Sequence, residues 1–142
     1  MGTWGAGPFE SDSAEDLLDE LEGTDSEGKL DRIIRIMNSA VRGDMFPEGD
    51  LLPEEIIAVA AIVALNVSPD MEGVWESEVT GLAGWLPKPV TPPTMDLAIQ
   101  ALAKATPLDG WWSKSWVDES ERSEAMNAIS QIREKLQSAT QS

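Results

Sequence analysis

Histidine, tyrosine and cysteine are missing from all 142 residues. Without cysteine no disulfide framework can form. Their joint loss removes the commonest general base, the usual zinc ligands and the phenolic acid, so an enzyme built on this chain would rest on carboxylates, lysine or serine. Positive charge is scarce as well. Ten Lys and Arg stand against 26 Asp and Glu, a net charge of −16, and the first basic residue is Lys29. Phosphate backbones and anionic membranes repel such a chain. The expectation is therefore no nucleic acid and no membrane as partners; a basic protein is drawn in by long-range attraction that speeds encounter and fades with salt. Solubility is the other use of surface charge, and it is the default reading of a charged face taken alone. Long apolar runs are lacking too. The one at 56–65 is too short to span a bilayer and no leader pattern precedes it, which predicts a cytoplasmic protein.

What the chain does have is an unusual opening, MGTWGAGPFESDSAED. Glycine loses the most conformational freedom on ordering and Pro8 lacks a backbone donor, so this stretch cannot be a regular helix or strand. Trp4 and Phe9 carry enough apolar surface to pin residues 1–11 to a core as a docked N-terminal arm. A phosphate-cradling loop is disfavoured, because no P-loop lysine follows and no strand precedes.

Trp4, Gly5, Gly7, Phe9, Asp12, Ala14 and Asp16 resemble the start of a bacterial family known only as domain of unknown function 4259. The resemblance runs the length of the chain: an acidic first helix, a second helix, an acidic loop with a proline, and an Ala-rich helix. Ser11 departs from it, standing where the family often has Asn or Asp. What the resemblance implies is a small helical cytoplasmic protein of the kind found as an immunity or accessory partner, with no established activity.

Helical periodicity fills most of the rest. Ala14, Leu17, Leu18 and Leu21 share a face behind a cap at Asp12 or Ser13, with Glu15, Asp16, Asp19, Glu20 and Glu22 towards water and Gly23 as the stop. A second helix from about Ser26 buries Leu30, Ile33, Ile34, Met37, Ala40 and Val41 and stops at Gly43. The third, 53–65, is apolar nearly all round, begins at Pro53 and is followed by a cap region at Asn66. Such a helix must be surrounded by others. Trp75, Val79, Leu82 and Leu86 predict a further helix, and 87–93 reads as an extended proline-rich connector. Thr94 is the expected cap of a helix burying Leu97, Ala98, Ala101, Leu102 and Ala105. A last helix, about 119–137, presents Ala125, Ile129, Ile132 and Leu136, with 139–142 frayed. The expected fold is all-α: a single domain over 1–142, a compact bundle of about five or six helices around the Ala-rich central one.

Two motifs imitate chemistry and fall short. Ser26 and Lys29 have the S-x-x-K spacing of an acyl-transfer nucleophile without its companion elements. Residues 44–55 copy the length of a calcium loop, with Gly49 sixth and Glu55 twelfth, but Phe46 stands at a ligand position and Pro47 stiffens the bend. No metal site, cofactor or catalytic residue is assigned, and a carboxylate-dependent metal hydrolase ranks last. Three indoles, Trp111, Trp112 and Trp116, crowd one short segment beside Asp109, Asp118 and Glu119. Core packing is the ordinary use of an indole, but at least one exposed here is expected to anchor a partner. Together with Glu15, Asp19, Glu20 and Glu22 they make the predicted partner surface of a non-enzymatic binding protein, one that neutralises a basic toxin or effector. The alternative is a nucleic-acid mimic that presents carboxylates to a nuclease or DNA-binding protein.

Overall fold

A computed structural model describes residues 12–43, 53–67, 84–87, 90–105 and 119–141. They hold five α-helices and, among the described residues, no strand: α1 (Asp12–Glu22), α2 (Ser26–Val41), α3 (Pro53–Val67), α4 (Pro92–Ala105) and α5 (Glu119–Gln141). The predicted N-terminal arm falls outside the described residues.

The bundle is arranged around α3. Every side chain from Ile56 to Leu65 is buried, and α3 touches each of the other four helices. The physical reason is in its composition. No solvent-tolerant face exists on this helix, and its alanines at 58, 60, 61 and 64 let neighbouring backbones approach closely. Around it, α1 buries Leu17, Leu18 and Leu21, and α5 buries Ala128, Ile129, Ile132 and Leu136.

Local signals set both ends of α2. Asp25 caps α2 from an extended conformation, its Oδ1 accepting from the Gly28 amide at 2.8 Å. Gly43 closes the same helix with φ +94°, a left-handed conformation costly to a side chain, while its N–H donates to the Ala40 carbonyl at 3.0 Å. Along α2 the buried set is Ile33, Ile36, Met37 and Ala40. Leu30, Ile34 and Val41 only half-bury, and Ile36, which the periodicity had not selected, goes inside.

Three expectations are corrected. Thr94 does not cap α4; the helix begins two residues earlier, at Pro92. The Thr91 carbonyl accepts from the amides of Thr94 and Met95 at 3.0 and 3.2 Å. Pro92 and Pro93 fit the first turn because amides there have no intrahelical acceptor, so nothing is lost by lacking them. Thr94 is instead buried, its hydroxyl 2.9 Å from that of Thr91. The helix expected to run through Leu86 has no α-helical end: residues 84–87 bend, consistent with the bias a following proline imposes on Leu86. Residues 75–83 of that segment lie outside the described residues. Finally, α5 continues past Gln137 to Gln141, where Ala139 packs against the core.

Asn66 also differs from its expected role. It sits inside α3, 3% exposed, with Nδ2 donating to the Ile62 carbonyl at 2.8 Å and Oδ1 accepting from the Leu86 amide at 3.1 Å. One side chain thereby bonds a backbone twenty residues away and holds Leu86 in the core. Asn66→Ala strips the buried Leu86 amide of that acceptor and is expected to cost about 2 kcal/mol. Gln100→Ala on the exposed side of α4 should stay within about 0.5 kcal/mol. Urea unfolding followed by circular dichroism checks both.

Candidate functional site

Among the described residues, exposed carboxylates gather on the outer side of the α1–α2 hairpin. Burying Leu17, Leu18 and Leu21 against the core turns Glu15, Asp16, Asp19, Glu20 and Glu22 outward, and all five are exposed. No basic residue occurs anywhere in α1. The turn and the start of α2 add exposed Asp25, Glu27 and Asp31.

The three basic residues of α2 that border this face are engaged within the chain. Arg32 pairs with Glu20 across the hairpin, both side chains about half exposed. Arg35 pairs with Asp31 one turn earlier at 3.0 Å, the favourable order of acid before base. Lys29 does something different. Its Nζ donates to the Thr24 carbonyl just beyond the end of α1 and lies 5.0 Å from the centre of the Trp85 ring. Glu22 places negative charge at the negative end of the α1 dipole, which is unfavourable locally. The ammonium delivered from α2 offsets it, so the acidic run reaches its last turn with help from a neighbouring helix.

Of the predicted site residues, the structure brings Glu15, Asp19, Glu20 and Glu22 together on α1. Glu20 pairs with Arg32. Asp16 joins them, and the backbones of Asp12 and Glu119 open α1 and α5. Trp4, Gly5, Gly7, Phe9, Asp109, Trp111, Trp112, Trp116 and Asp118 lie outside the described residues. The indole that is described, Trp85, was missed by sequence reasoning. It is half-buried against the core beside the acidic turn. Its signal in the sequence was weak: one aromatic between Gly84 and Leu86-Pro87 in a stretch whose periodicity pointed to a helix.

Among the described residues no three Asp or Glu side chains gather in a way that could hold a metal ion. Residues 44–52 of the calcium-like loop fall outside the described residues, while Glu55 is half-buried on α3. The Lys29 of the S-x-x-K spacing is turned to Thr24 and Trp85 rather than to Ser26 as a base. Among the described residues no helix is long and apolar enough to cross a membrane.

The Glu20–Arg32 pair is exposed and solvent-screened, so a double-mutant cycle with Glu20→Gln and Arg32→Gln is expected to return a coupling below about 1 kcal/mol. A larger value, read from urea unfolding at low salt, would mean the hairpin is held by charge rather than by Leu17, Leu18 and Leu21.

Comparison with known proteins places the chain in a family. The family model described as Domain of unknown function (DUF4259) covers residues 2–128, and the chain belongs to that family. No curated protein and no solved structure matches the chain.

Proposed function

We propose that this family member is a non-enzymatic acidic binding domain that docks on a basic protein, in the manner of an immunity protein or antitoxin that neutralises a basic bacterial toxin or effector in the cytoplasm. The observation that carries the reading is the outward face of α1. Five exposed carboxylates, at 15, 16, 19, 20 and 22, occupy a helix with no basic residue. Lys29 offsets the acids of the last turn, so the helix tolerates the acidic run without being stabilised by it. A role towards a partner accounts for keeping them.

The physics of such docking is divided between rate and lifetime. Net charge of −16 steers a cationic surface toward the hairpin and raises the encounter rate at low salt. Exposed carboxylates contribute little once contact is made, so lifetime depends on desolvated anchors, for which Trp111, Trp112 and Trp116 beside Asp109, Asp118 and Glu119 are the proposed set. Mimicry of nucleic acid makes a different demand. At 1.5 Å per residue, α1 extends only roughly 16 Å, a short row beside a tract of phosphates.

The test is affinity purification of the tagged protein from its native host at low and moderate salt, with mass spectrometry of what is retained. Glu15→Lys, Asp19→Lys and Glu22→Lys combined should leave the helical spectrum intact and abolish retention of a basic protein. Trp111→Ala with Trp112→Ala should weaken retention mainly at moderate salt. If the retained protein is a nuclease whose DNA competes for the same site, mimicry takes over. If nothing basic is retained at either salt, the acidic face serves solubility alone.

A further inference from the structure

The contact between Lys29 and Trp85 ties α2 to the bend at 84–87, and it has the composition of a recognition site. An ammonium lies 5.0 Å from an indole centroid, inside the roughly 6 Å range in which the ring quadrupole attracts a cation. The same ammonium donates to the Thr24 carbonyl. Thr24 stands at the negative end of α1, where its own N–H closes back on the Leu21 carbonyl at 3.0 Å. Ring face, carbonyl oxygen and helix terminus together are the parts from which ammonium sites are built.

We propose that Trp85 and the Thr24 carbonyl form a cation subsite whose resident is the chain's own Lys29, and that a lysine or arginine side chain of the basic partner takes its place on docking. The identity of the incoming cation rests on the docking reading above; the subsite itself does not.

Rigidity favours this direction of exchange. Trp85 is flanked by Leu86, which is 2% exposed and whose amide is held by buried Asn66, and its ring packs on the core, so the aromatic wall stays in place. Lys29 is the movable part, a flexible four-carbon stem carrying a compact, strongly hydrated charge. Exposed Glu22, Asp25, Glu27 and Asp31 border the turn. A released ammonium remains among carboxylates, and an arriving one is attracted by them. Two ammonium groups cannot share one ring face and one carbonyl, so the resident excludes small cations until a partner brings a competitor with contacts of its own. Exchange of like for like adds little affinity by itself. It registers the partner on the hairpin, because the arriving group must reach the junction of α1, α2 and the bend.

The measurement uses n-butylammonium chloride as the probe and the full chain labelled with nitrogen-15. The Trp85 indole N–H signal is identified by its loss in Trp85→Phe. In Lys29→Met, or in Lys29→Gln if the first variant melts early, that signal should shift saturably with n-butylammonium. Wild type should need more probe than Lys29→Met, because its tethered ammonium competes for the same ring face and carbonyl. Adding Trp85→Phe to Lys29→Met should weaken the response of the Gly28 amide roughly fivefold, since the better cation-binding ring is gone. A signal in Lys29→Met that moves only linearly, or no more than with n-butanol plus matched sodium chloride, overturns the subsite. No partner is needed for this result. A silent titration alongside a retained basic protein sinks the subsite and leaves docking standing; saturable binding with nothing basic retained sinks docking alone.

Discussion

A helix with no polar face has to be enclosed, and most of this architecture is the enclosure of α3. Burial from Ile56 to Leu65 removes water from the whole circumference, which no single neighbour can do. Helices α1, α2, α4 and α5 each turn an apolar stripe to it. Alanine matters here as much as isoleucine. Small side chains at 58, 60, 61 and 64 leave room for adjacent backbones, and a larger residue at any of them would be overpacked.

Asn66 shows how an apolar helix can still hold an irregular segment. Burying an amide side chain is costly unless its polar atoms are matched, and here both ends are: one to the preceding turn of its own helix, one to the Leu86 amide. The bend at 84–87 has no ladder of its own to satisfy that amide. The bond therefore works in two directions, making a buried polar residue tolerable in α3 and fixing where the chain passes on its way to α4. Trp85 is brought beside Lys29 as a result.

Charge has a lesser role in holding the fold together and a larger one at its surface. The ion pairs of the hairpin are exposed, and exposed pairs contribute little to stability. They do occupy the basic residues of α2. With Arg32 on Glu20, Arg35 on Asp31 and Lys29 on Thr24 and Trp85, the outer side of α1 keeps an unmixed negative character at 15, 16, 19 and 22. That asymmetry is what an incoming cationic surface would meet first.

Element type was readable from the chain because it depends on local pattern. Leucines at 17, 18 and 21 and isoleucines at 129 and 132 repeat with a helical period, the unbroken apolar run of α3 has the length of a buried helix, and Gly43 marks a stop that only a residue tolerant of positive φ makes easily. The acidic face of α1 follows from the same periodicity. The family, read from a resemblance that begins at Trp4, Gly5, Gly7 and Phe9, is shown by the model match over residues 2–128, whereas the sequence assigned no activity. Tertiary structure decided the rest. Whether Ile36 or Ile34 goes inside depends on which neighbours α2 meets. Asn66 changes from an expected cap to a buried clamp, and Lys29 is joined to Trp85 across more than fifty positions of sequence, because those partners meet only when α3 is enclosed. Local propensity acts over a few residues, and pairings at such separations are chosen by packing.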